Sequence, residues 1–106
     1  MQKKLIEAKK LLKFLIKELP IKKKVHLSFV DGLIDGEDLG QTMLCKKIIK
    51  IILNKKMSEN FLLYILLHEY GHAMCFGNGK YSDREDHDRN WGIAHAKAYK
   101  KWVRDY

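Results

Sequence analysis

The chain reads as an α+β domain: one helix, a small three-stranded and mostly antiparallel sheet, then two further helices. Three observations carry that reading. Apolar residues recur at spacings of three and four near the start, three short strand-like segments lie between Val25 and Leu53, and two helical stretches follow Ser58. The 106 residues form one domain, 1–106, and 46% hydrophobic with 32% charged residues is a globular composition able to bury one core without staples.

Residues 2–19 form the expected first helix. Leu5, Ala8, Leu12, Leu15 and Leu19 line one face, Lys3, Lys10, Lys13 and Lys17 fall on the other, and Pro20 stops it. The sheet spans 25–53. Val25 to Val30 is the first strand, followed by a turn or loop marked by Asp31, Gly32, Asp35 and Gly36. Gly40 to Leu44 is a weaker second strand, Cys45 to Lys47 a hairpin turn, and the β-branched run Ile48 to Leu53 the third. If Ile49, Ile51 and Leu53 face the core, Lys50 faces out with Ile48 and Ile52. Ser58 can cap the second helix, 58–76, with Gly77 as its stop. Phe61 through Leu67 make that helix apolar on nearly every side, the mark of a buried one. A polar loop leads to the third helix, 87–104, with Trp91, Ala94, Ala98 and Trp102 at helical spacing.

Several classes of protein are disfavoured. No run of 18 apolar residues exists to span a membrane, and lysines interrupt the N-terminal apolar stretch that a signal peptide would need. Cys45 and Cys75 form no spaced pair and read as reduced thiols, so a cytoplasmic location is expected. The net charge of +8 is concentrated: residues 1–24 hold nine lysines against Glu7 and Glu18, whereas the remainder is close to neutral.

The chemistry lies in the second helix, which contains His68-Glu69-Tyr70-Gly71-His72, an H-E-x-x-H motif. Residues i and i+4 share a helix face, so the two imidazoles can grip one Zn²⁺, and the glutamate beside them can take a proton from water. Chance would produce the pattern in about 1 of 80 chains of this composition, so context must decide. The context is an apolar helix, where burying three such groups without partners costs several kcal/mol and a metal satisfies them together. The bland alternative is a helix with an exposed polar patch.

A third protein ligand is needed, with the fourth position left for water. Asp83, Glu85, Asp86, His87, Asp88 and His95 are all candidates. Here the sequence resembles the SprT-like zinc metallopeptidases, the group that includes spartan. That family carries H-E-x-x-H, a loop of roughly fourteen residues, then H-G-x-x-[FW] opening a further helix. In this chain His72 and His87 are separated by residues 73–86, and His87-Asp88-Arg89-Asn90-Trp91 follows, with Asp88 where the family usually has glycine. The resemblance covers about residues 48–102. It implies a minimal zincin-like fold, one catalytic zinc, metal ligands His68, His72 and His87, and Glu69 as the catalytic base. It leaves His95 as an alternative ligand or a packing residue, and Trp91 as a core anchor holding His87.

The function expected from this is zinc-dependent hydrolysis of peptide bonds in a protein or peptide substrate. The strand Ile48–Leu53, at a sheet edge, would hold the substrate by backbone pairing. Tyr81, Tyr99 and His26 are candidate oxyanion stabilisers, and Cys75 reads as a buried, inert thiol. The lysine helix could make non-specific, salt-sensitive contact with DNA, which the resemblance favours slightly, or could be a solvated face. Two rival readings stay open. One is a regulatory peptidase of a mobile element that cuts a single repressor or antitoxin. The other is a non-catalytic, zinc-stabilised module that binds nucleic acid.

Overall fold

The structure is a computed structural model that describes residues 2–32, 39–77 and 89–106. Its elements run α1 (Lys3–Glu18), β1 (Lys24–Val30), β2 (Gly40–Cys45), β3 (Ile48–Asn54), α2 (Glu59–Gly77) and α3 (Arg89–Asp105). The architecture is α+β, as the sequence predicts.

α1 buries Ala8, Leu11, Leu12 and Leu15, with Leu5 and Leu19 packed half-buried against the same core. Leu11 was not among the expected core residues, yet it falls between Ala8 and Leu15 on the same stripe. Lys3, Lys10, Lys13 and Lys17 are exposed, as expected. Lys4 differs: its ammonium donates to the Met57 carbonyl at 2.9 Å, tying the start of α1 to the turn before α2.

The sheet order is β1-β3-β2. β3 pairs antiparallel with β2 across the Lys46–Lys47 turn, but pairs parallel with β1 along its whole length. The sheet is therefore mixed, which corrects the mostly antiparallel expectation. β1 and β2, consecutive in sequence, are not neighbours in the sheet: β3 lies between them. Physical preference puts β3 there: Ile49, Ile51 and Leu53 are fully buried, and a central strand satisfies its backbone through two ladders. Lys50 faces away from the core, as the alternation predicts. This order also overturns the expected role of Ile48–Leu53 as a substrate-pairing edge, because both of its edges are already occupied. Gly32, at φ +124°, donates its N–H to the Asn54 side chain at 3.2 Å, which fastens the end of β1 to the end of β3. Asp35 and Gly36 lie outside the described residues.

α2 starts after Ser58, whose hydroxyl accepts the Phe61 N–H at 3.4 Å in a long capping bond. It packs on β2 and β3 on one side, on α1 on another and on α3 on a third. Leu62, Leu66, Leu67, Tyr70 and Ala73 are consequently fully buried, each large apolar side chain stabilising the fold by roughly 1.5–3 kcal/mol. The helix is not buried all round, however. Phe61 and Tyr64 are exposed, and they lie on the same stripe as His68 and His72. Among the described residues, three neighbours cover three sides of the helix and none covers Phe61 and Tyr64. α3 buries Ala94 and Ala98 against this core, with Trp91 and Trp102 half-buried. Among the described residues, no helix is long and apolar enough to cross a membrane.

Candidate metal centre

Successive helical residues point about 100° apart, so the five residues of the motif face every side of α2 in little more than one turn. Each side meets a different element. Glu69 points to β2, Tyr70 to α1 and Gly71 to α3, while His68 and His72 continue the stripe of Phe61 and Tyr64 and are half-buried beside Trp91.

The two imidazoles have ring centres 5.2 Å apart, inclined at 65°. Two rings that each bind one tetrahedral ion at about 2.0–2.1 Å place their centres roughly 5 Å apart. The pair fits one metal ion. His68 is held from behind by Trp91, whose indole N–H donates to the His68 carbonyl at 3.2 Å. The Trp91 ring centre lies 4.9 Å from that of His68, and the indole stacks against His72 at 5.6 Å. The tryptophan expected to anchor His87 thus packs on the other two histidines.

Glu69 is 6% exposed. Its Oε1 accepts the Thr42 hydroxyl at 2.7 Å, and its Oε2 lies 3.9 Å from His68 Nε2. The same hydroxyl is 3.0 Å from the Glu69 main-chain carbonyl, but it has one proton, and the shorter contact to the carboxylate is the stronger acceptor. The carboxylate therefore bridges the sheet and the histidine pair. β2 comes this close because residue 40 is glycine. A Cβ at Gly40 would sit 2.7 Å from Ile65 Cγ2 and 3.2 Å from Glu69 Cγ.

Tyr70 is fully buried, and its hydroxyl donates to the Leu19 carbonyl at 2.6 Å, with the Leu15 carbonyl at 3.3 Å. Both carbonyls are at the C-terminal end of α1, where Leu15 already accepts the Leu19 N–H at 2.7 Å, and the Tyr70 hydroxyl serves the Leu19 carbonyl beyond the last turn. Burial pushes the Tyr70 phenol well above its usual pKa. Gly71 serves α3: a Cβ there would lie 3.0 Å from Trp91 Nε1 and 3.3 Å from His95 Cα. The two unspecified positions of the motif are thus occupied by the residues that dock the other two helices.

His95 stacks flat on Trp91 at 4.8 Å and 9°, with its ring centre 6.0 Å from that of His68. The sequence left His95 as a packing residue or an alternative ligand, and the contact with Trp91 is a packing one. Cys75 is buried, as foreseen. Tyr99 is half-exposed one turn beyond His95, ring centres 6.4 Å apart. His26 is removed from the site. It pairs with Lys50 on β1, on the sheet face turned away from α2, because residue alternation sends its side chain outward with that lysine. His87, together with Tyr81, Asp83, Glu85, Asp86 and Asp88, lies outside the described residues. Among the described residues, no three His, Cys, Asp or Glu side chains converge on a point that could hold an ion.

Thr42, Tyr70 and Gly71 went unremarked as functional positions in the sequence. Alternation along β2 puts Thr42 on the α2 side, but only the fold sets it opposite Glu69. No protein-family model matches the chain, and comparison with curated proteins and with solved structures finds no match.

Proposed function

We propose that this chain is a zinc-dependent peptidase of the SprT-like kind, with His68, His72 and His87 as metal ligands and Glu69 as general base. One observation carries the reading: two imidazoles at single-ion spacing stand beside a buried carboxylate that is tied to an edge strand. A carboxylate at 6% exposure is costly to bury, and this one lies beside a histidine.

Zinc bound there would supply Lewis acidity for the scissile carbonyl and bring the pKa of a water towards 7. Glu69 takes the proton from the attacking water and returns it to the leaving amine nitrogen as the C–N bond breaks. Trp91 keeps the imidazole pair in register by packing on both rings. The substrate lies as an added strand on β2, the sheet edge next to Glu69. An open stripe on α2, with exposed Phe61 and Tyr64 leading to the histidines, suits an extended or unfolded segment of protein.

The test is metal content and cleavage of a dye-quenched unfolded protein by the wild type, Glu69→Gln and His87→Ala. Stoichiometric zinc in the wild type and Glu69→Gln, cleavage by the wild type alone, and zinc loss in His87→Ala are expected. Equal cleavage by Glu69→Gln would remove the general base and with it the proposal. Exposed Lys3, Lys10, Lys13 and Lys17 favour the nucleic-acid-binding alternative. That alternative prevails if a cellular phenotype survives Glu69→Gln but is lost when Lys10, Lys13 and Lys17 become Glu.

A further inference from the structure

Thr42 has two sets of polar atoms, and the fold sends them roughly at right angles to each other. Its side chain points out of the sheet towards α2 and donates to Glu69 Oε1. Its backbone groups lie in the plane of the sheet. The Asn54 N–H donates to the Leu39 carbonyl at 2.9 Å, which makes Leu39 and Asn54 a hydrogen-bonded pair of the antiparallel ladder. Such pairs alternate along the strand. Gln41, Met43 and Cys45 therefore bond to β3, and Gly40, Thr42 and Leu44 present N–H and C=O to the outer edge of β2. Among the described residues, no strand pairs with that edge.

We infer that Thr42 is a positioning residue that holds Glu69 for proton transfer and sets the paired substrate in register with it; this rests on the peptidase reading above. The hydroxyl fixes Oε1 at 2.7 Å, the length of a hydrogen bond to an ionised acceptor, and so turns Oε2 towards His68. A peptide added to β2 bonds to the main chain of the same residue. The distance from the peptide backbone to the general base is then set within one residue, with no loop or flexible side chain between. Gly40, pressed against Glu69 Cγ, leaves β2 little room to drift from the carboxylate. Glu69 without this bond would keep its place on the helix but would lose its orientation.

The test compares Thr42→Val, which removes the hydroxyl at nearly constant shape, with Thr42→Ser, which keeps it. Against dye-quenched casein, with zinc content measured alongside, Thr42→Val should lower kcat about tenfold at unchanged KM and unchanged zinc, the size expected for one lost bond to a charged group. Thr42→Ser should restore most of the rate. A second readout needs neither zinc nor substrate: urea unfolding of the metal-free wild type, Thr42→Val, Glu69→Ala and the double variant. The two substitutions should be non-additive by about tenfold in the unfolding equilibrium constant. An unchanged kcat in Thr42→Val, a raised KM alone, or strict additivity in the cycle would each overturn the role. If the coupling is present but the wild type cleaves nothing, the peptidase reading fails and takes the role with it, leaving only a structural link between β2 and α2.

Discussion

The inward and outward sides of α2 differ in what the fold needs from them. Inward, Glu69, Tyr70 and Gly71 each meet a packed neighbour: β2, the end of α1 and the face of α3. Outward, His68 and His72 lie on the same stripe as exposed Phe61 and Tyr64. Tyr70 and Gly71 are explained by architecture alone. The histidine pair, with ring centres 5.2 Å apart, is what the proposed metal chemistry would use. In that reading the motif is a structural hub and a metal site at once, and the two roles are separable by substitution.

The largest effect should come from the packed side. Gly71→Val would drive a branched side chain into Trp91 and the His95 backbone, where even a lone Cβ has 3.0–3.3 Å. Overpacking of this kind costs about 3 kcal/mol, read as a lower urea midpoint with or without zinc. A Gly71→Val protein of wild-type stability would show that α3 does not lie flush on α2. The open side should behave oppositely. His72→Ala removes a half-buried ring packed on Trp91 and should cost the metal-free protein about 1 kcal/mol, well below the Gly71→Val effect. Zinc at a hundredfold excess over its dissociation constant should then stabilise the wild type by about 2.7 kcal/mol, and the variant hardly at all. Equal zinc-induced shifts in melting temperature for both would end the separation of roles.

Tyr70→Phe sharpens the comparison by a smaller amount. It removes one buried hydrogen bond to the end of α1 and should cost about 1–1.5 kcal/mol at neutral pH. It should also change the alkaline limb. The folded-state pKa of Tyr70 is raised by burial, so the unfolded chain loses that proton first. The Tyr70 contribution is complete below the ordinary phenol pKa of about 10 and is lost as pH rises above it. Urea midpoints measured from pH 8 to 11 should fall less steeply for Tyr70→Phe. Parallel alkaline limbs would mean the phenol is not held neutral by the fold.

Much of this was legible residue by residue. Spacings of three and four placed α1, and alternation correctly turned Ile49, Ile51 and Leu53 inward with Lys50 outward. The H-E-x-x-H spacing brought the His68 and His72 rings together, since a helix guarantees that an i, i+4 pair shares a face. Failures came where a residue's role depends on a distant segment. The run Ile48–Leu53 looks the same in sequence whether its strand is central or at an edge, and only the parallel pairing with β1 decided that it is central. His26 looked available until the sheet turned it away from α2. Phe61 and Tyr64 read as core because apolar side chains cannot signal that a helix has only three neighbours.

The sequence by itself determined the helices, the strand faces and the juxtaposition of two imidazoles, because backbone periodicity and hydrogen bonding act over a few residues. Only the tertiary structure decided the strand order, the side of α2 left open, and the bond from Thr42 to Glu69, 27 positions away. Those are set by which surfaces exclude water together, and that depends on every element at once.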